Sequence, residues 1–446
     1  MTDVSAKTPP LRRISTSCLL LAAALLSATT VLAADFEQEP IRYSQSTPQN
    51  VISRLQKQLD QGQVRLTYDA KFGYLPAVLA ALKVPASSQG LVFSKTSLQR
   101  QRIAPKTPRA IYFNDDVYIG YCQHGELLEV STADPVLGAV FYSLSQEESV
   151  LPAFKRQTDN CLICHESSHT HGFPGHIVRS VFSDAGGFPI LSAGTYRIDQ
   201  TSPIRQRWGG WYVTGTHGSQ THLGNLVIRD ADKTDPASAD NLAGQNVTDL
   251  SPLLKTSAYL TPQSDIVALM VLEHQTQAQT YLTRAHYETR LALHYEAALN
   301  RELKQPAGHR WDSTRSRIKS VGEPLVKYLL FSGEAELTSP VKGSPDFKRD
   351  FAASAIKDRL GRSLRDFNLE RRMFQFPCSY LIYSASFDAL PDEIRGYVYQ
   401  RLWDVLSGKE TSKEFAHLSA TDRQAIIEIL SETKRGLPDY WKVPGA

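Results

Sequence analysis

The chain has 446 residues, with 49 Lys and Arg against 46 Asp and Glu, a formal net charge of +3 and 41% hydrophobic residues. That is enough apolar material for two or three domains, and its interspersed charges provide no basic field for nucleic acid or an anionic membrane surface. With five cysteines and twelve histidines in the whole chain, a close grouping of the two carries information.

In chain order, Arg12 and Arg13 precede an apolar run from Cys18 to Leu32, and Val31-Leu32-Ala33 supplies small residues at the right offsets for cleavage before Ala34. Residues 1–33 therefore read as a secretory signal peptide. A membrane anchor fits less well, because Ser27, Thr29 and Thr30 interrupt a run already shorter than the roughly 20 apolar residues of a span. Cys18 opens the run rather than following it, which is the wrong place for a lipidated terminus. No later stretch is long and apolar enough to span a bilayer, so the mature chain is expected to be soluble, periplasmic and in an oxidising environment.

Residues 34–151 form a first region. The spacing predicts helices over 49–61 and about 75–82, followed by a change of period. "AIYFNDDVYIGYC" alternates β-branched and aromatic residues about an Asn114-Asp115 turn, and "LLEVSTADPVLGAVFYSL" continues the pattern about Asp134-Pro135. A small antiparallel sheet ending near Gln146 is expected.

Residues 152–260 are rich in Gly, Pro, His and Trp and read as loops. They contain Cys161-Leu162-Ile163-Cys164-His165, a pattern whose random occurrence in this composition is roughly one in 700. Two cysteines three apart share one helical turn, each can form a thioether to a haem vinyl group, and the next residue offers its imidazole to the iron. A redox dithiol would want a βαβ setting and an activated cysteine. A zinc site could be assembled from Cys161, Cys164, His169 and either His171 or His176, although thiolates outside the cytoplasm tend to oxidise. A disulfide between Cys161 and Cys164 would close a short, strained loop.

Residues 161–165 resemble the haem-binding pentapeptide of c-type cytochromes. The resemblance implies one covalent haem c on Cys161 and Cys164, with His165 as the proximal iron ligand. "RWGGWYVTGTHGSQTHLGN" and "FPCSYLIYSASFDALPDEIRGYVYQRLWDVL" are also similar to parts of large exported bacterial cytochrome c-like proteins of unassigned activity, a likeness that supports the haem and names no reaction.

From 261 to 446 the chain reads as helical. Ser264 and Asp265 offer an N-cap to a run without Gly or Pro as far as Gln305; shorter helices are expected over 318–331 and 391–406, and a last one starts at a Thr421-Asp422-Arg423-Gln424 capping pattern and stops at Gly436. The fold class expected is α+β, mainly α, with a small antiparallel sheet, a loop-rich haem segment and a helical C-terminal region.

The second axial position decides between functions, since a bound His or Met makes an electron carrier and an open site permits ligand or peroxide chemistry. His222, ahead of His217, is the expected distal ligand: both are more than 50 residues beyond His165, and nearby glycines permit close backbone approach. Met270, which shares a helix face with His274, is a weaker candidate, and Met373 has no better claim. His169 and His171 are too close in sequence to cross the haem, and His176 is borderline. Trp208 and Trp211 could wall a pocket or simply fill the core. Arg179, Arg205 and Arg207 could pair with propionates, and Glu273, Glu288 and Arg290 mark the long helix. Cys122 and Cys378 are left as a disulfide or as two buried thiols.

The expected function is that of an exported mono-haem cytochrome exchanging electrons with periplasmic donor and acceptor partners. The alternatives are a peroxidase or oxidase with an open distal site, and a haem-based ligand sensor.

Overall fold

The computed structural model describes residues 35–229 and 240–441. The proposed signal peptide, residues 1–33, lies outside the described residues. Helices and strands account for 38% and 14% of the chain, and seven strands form one antiparallel sheet, so the architecture is mixed α/β and the expectation of a mainly α chain is corrected.

The sheet runs in the order β6-β5-β4-β3-β2-β1-β9. Its strands are β1 (Gly90–Val92), β2 (Arg109–Phe113), β3 (Val117–Tyr121), β4 (Leu127–Asp134), β5 (Gly138–Ser145), β6 (Phe154–Gln157) and β9 (Trp211–Tyr212); β7 (Arg179–Val181) and β8 (Thr195–Arg197) form a separate hairpin. The two turns expected from the sequence are present. Asn114 Oδ1 accepts the backbone N–H groups of Asp116 and Val117, and Asp134 Oδ1 accepts those of Val136 and Leu137. The sheet is wider than expected because β6 and β9 come from the loop-rich segment beyond residue 151 and pair with strands on either edge. Two- and four-residue strands have too little alternation to announce themselves in sequence.

Alternation along β4 sorts the two faces. Leu128 and Val130 join Ile119, Tyr112 and Leu144 in a core closed by α1 (Val51–Asp60) and α2 (Leu75–Leu82). Asn50 caps α1 through its side chain to the N–H groups of Ile52 and Ser53. The opposite face, with Phe113, Tyr118, Ser131 and Phe141, looks toward the long helix and the cysteine motif, which occupies a one-turn helix, α3 (Leu162–His165).

The long helix is α4 (Ile266–Glu302), capped by Asp265. It is buried around most of its circumference over its first half, polar residues included, which is the behaviour of a central helix rather than a surface one. Two of its three buried glutamines are satisfied there: Gln275 and Gln279 donate to the carbonyls of Asn114 and Asp115, and both reach Tyr118 Oη, whereas Gln277 Nε2 has no partner among the described residues. The other face of α4 meets α5 (Asp312–Leu329), which packs on α8 (Asp392–Leu406), followed by α9 (Ala420–Thr433). Two short helices, α6 (Pro345–Ala353) and α7 (Ala385–Asp388), complete this layer. The last helix is capped by Ser419 with Asp422, two residues ahead of the Thr421 expected from sequence. Among the described residues no helix is long and apolar enough to cross a membrane.

Candidate haem-attachment site

The cysteine motif is placed by the strand before it and by one anchor. β6 ends at Gln157, a turn at Asp159 follows, and Leu162 buries its side chain while Ile163 and Cys164 remain exposed. The N–H groups of Cys164 and His165 both donate to Cys161 O, at 3.3 and 3.0 Å, closing the single turn. Cys161, Cys164 and His165 therefore share one face at i, i+3 and i+4. Both cysteines are free thiols. Burial, with Glu129 and Asp159 nearby, pushes the Cys161 thiol up to about 11. This is opposite to the depressed value of a nucleophilic redox cysteine.

His165 is oriented from behind. Its Nδ1 lies 2.9 Å from Gly175 O, the Gly175 N–H donates to His165 O at 2.9 Å, and Thr170 Oγ1 donates to the same carbonyl at 3.2 Å. A protonated Nδ1 held by a carbonyl leaves Nε2 as the lone-pair nitrogen, the arrangement required of an imidazole that ligates a metal. The ring rests on Phe141, 4.6 Å between centroids. Burial lowers the His165 pKa against the opposing effect of the Gly175 bond, which keeps the ring neutral and able to ligate. Beneath lie Arg109 and Glu129, paired at 2.8 Å across Gly120, where a side chain would meet the Arg109 guanidinium at 3.2 Å.

His176 is the other imidazole on this floor. It packs 4.4 Å from Tyr118 and 6.0 Å from Phe141, and its Nε2 lies 3.1 Å from Ser131 Oγ. Burial, reinforced by His165, pulls its pKa down to about 3. The sequence left His176 borderline, and the floor residues Phe141, Arg109 and Glu129 were missed. Their only signal is the two-residue period of the upstream strands β2, β4 and β5, which says that they share a face but not what lies on it.

The structure does not bring His217 and His222 to His165. They follow β9, five strands from β5, a separation of roughly 24 Å at about 4.8 Å per strand. Two axial nitrogens on one iron lie only about 4 Å apart, twice an imidazole–metal bond. The two rings instead pack together at 4.7 Å, with His222 edge-on to Trp208 at 5.3 Å, and His217 Nε2 accepts the Asn246 N–H. Met270 is likewise displaced: it is core, ten residues and roughly 15 Å along α4 from Thr280, whose hydroxyl donates to His176 O. Met373 is also in the helical core. His274, on the Met270 face, is held between Gln200 and Ser379 and stacks on Phe331.

The remaining expectations divide. Trp208 is fully buried core, and Trp211 stands in β9 with its indole N–H on Arg179 O. Arg207 is committed to a buried ion pair with Glu273, and Glu288 and Arg290 bind Arg317 and the Pro40 carbonyl. The zinc set is not assembled: among the described residues no group of three or more His, Cys, Asp or Glu could hold a metal ion. Of the two alternatives open for Cys122 and Cys378, the structure has separate buried thiols and not the disulfide; burial pushes each up to about 12.

The chemistry of the donor set fits a covalently bound haem: two unpaired thiols on one face of one turn, followed by an imidazole whose Nδ1 is already engaged. No protein-family model, curated protein or solved structure matches this chain.

Proposed function

We propose that this chain is an exported mono-haem c-type cytochrome that exchanges electrons with periplasmic donor and acceptor partners. One observation carries the reading: His165 is tethered through Nδ1 to Gly175 O on the same turn as two free cysteines, one of them exposed. Haem c, when bound, supplies a one-electron couple. Cys161 and Cys164 would hold it, and His165, with its tautomer set by Gly175 O, would offer Nε2 as the metal-binding nitrogen. Phe141 excludes water from one side of the imidazole. The exposure of Cys164 and Ile163 leaves the attachment edge open to a docking partner, as electron exchange requires.

A second reading, a haem enzyme or ligand sensor, is favoured by a specific observation. His217, His222 and Met270 all lie away from His165, so a haem held there would take no second ligand from these three side chains and could bind water or a small ligand.

The test has two parts. Protein exported in a host with a haem-attachment system should keep haem through denaturing electrophoresis, and Cys161→Ala with Cys164→Ala should lose it. Stoichiometric zinc in place of iron overturns the proposal. Carbon monoxide binding by the ferrous wild-type protein, or peroxide turnover, transfers it to the second reading.

A further inference from the structure

Beside the cysteine motif, five cationic or potentially cationic side chains come together, and none of them forms an ion pair with a carboxylate among the described residues. Strands β7 and β8 place Arg179 directly opposite Arg197, a like-charged pair that destabilises a hairpin unless something neutralises it. Arg179 spends its guanidinium on Thr195 Oγ1 at 3.1 Å, and Arg197 donates to His169 O at 2.8 Å; neither meets an acid among the described residues. Arg284, half-buried on α4, has no hydrogen-bond or ion-pair partner among the described residues. Tyr281, one turn earlier on the same helix face, lies 5.6 Å ring to ring from His171, whose buried Nε2 also has no partner. Arg284 and Arg197 both face His171 closely enough that, after burial, their charges are what lowers its pKa, and Arg179 and Arg197 act on His169 in the same way.

This arrangement is costly if left alone. A half-buried arginine usually finds a carboxylate, as Arg207, Arg362, Arg365 and Arg401 do elsewhere in this chain. Guanidinium groups, an imidazole N–H and a phenol are also the donors that recognise a planar or tetrahedral oxyanion through short, charge-assisted bonds.

We infer that Arg179, Arg197, Arg284, His169, His171 and Tyr281 form a binding site for an oxyanion of the carboxylate or phosphate class, next to the cysteine motif. The anion is either a propionate of the protein's own haem or a free oxyanion delivered to the site. The chemistry is shared, and occupancy distinguishes the sources.

The experiment is calorimetric titration of inorganic phosphate, at constant ionic strength, into the haem-bearing full chain and into the haem-free Cys161→Ala, Cys164→Ala form. Saturable binding of one phosphate to both forms assigns a free oxyanion; binding to the haem-free form alone assigns the propionate. In either case Arg284→Gln and Arg197→Gln should weaken binding at least tenfold, whereas the exposed Arg205→Gln should not. If the haem-free form does not fold, a propionate in the site is read instead as a change of at least tenfold in the ferric–ferrous equilibrium constant in Arg284→Gln. Absence of saturable binding to every folded form with no such change, or binding unaffected by both arginine substitutions, overturns the inference. A chain that carries no haem but binds phosphate would sink the cytochrome reading and leave this site standing.

Discussion

Gly175→Ala tests whether the backbone at residue 175 holds His165 in place. A methyl group there would lie 3.0 Å from Thr170 Cβ, 3.0 Å from Thr280 Oγ1 and 3.1 Å from Thr170 Cγ2. Ordinary carbon contacts are about 3.5–4.0 Å, so the segment must move by roughly half an ångström or more. Neither neighbour can give cheaply: Thr170 Oγ1 bonds the His165 and Ser167 carbonyls, and Thr280 Oγ1 bonds those of His176 and Thr276. Overpacking of this kind costs about 1–3 kcal/mol. Displacement also pulls Gly175 O from His165 Nδ1, adding about 0.5–1.5 kcal/mol for the weakened bond. The sum, roughly 1.5–4.5 kcal/mol, should appear as a lower urea midpoint with unchanged slope. Adding Thr280→Ala removes one of the clashing atoms, so the double variant should be less destabilised than the two single changes predict, by at least about 0.5 kcal/mol. In the haem-bearing protein a loosened Nδ1 bond makes His165 a weaker donor, and the reduction potential should rise. Wild-type stability in Gly175→Ala, or strict additivity with Thr280→Ala, would refute the coupling between this glycine and His165.

Further expectations follow from the buried groups. His176, His222 and His274 have folded pKa values of about 3, each lowered chiefly by burial, against 6.5 when unfolded. Their stability contribution is therefore fully present above pH 6.5 and lost as pH falls toward 3, at roughly 4 kcal/mol per pH unit for the three together. Urea midpoints that stay level from pH 7 to pH 5 would contradict this. Cys122 and Cys378 should label with a thiol reagent only after unfolding, without reductant; protection of both in the unfolded, unreduced chain would restore the disulfide. His222→Ala should leave any haem spectrum unchanged while costing about 1–3 kcal/mol of stability, because it vacates space against Trp208 and His217; conversion to high spin would reinstate it as an iron ligand. Glu273→Ala should cost about 3–5 kcal/mol by stranding the buried Arg207 charge, with Arg207→Met, Glu273→Met less damaging than the single change when both are compared by chemical denaturation.

Local chemistry was readable from the sequence. The helices over 51–60 and 75–82, the turns at Asn114 and Asp134, and the long helix begun by Asp265 each follow from side chains a few residues apart, and the structure places them within two or three residues of expectation. The grouping of Cys161, Cys164 and His165 is of the same kind, since one helical turn suffices to gather it. What sequence could not decide was adjacency across the fold. His217 and His222 have enough intervening chain to reach His165, but length permits an approach without requiring one. Pairing of β9 with β1 carries them to the opposite end of the sheet instead. Likewise the helical face of Met270 was legible, but its distance from Thr280 mattered only once that turn of α4 was seen to lie under His176. The sheet face beneath the motif, the carbonyl of Gly175 and the unpaired arginines around His171 depend on strand register and helix docking, which are set by the summed burial of two cores rather than by any short stretch of chain.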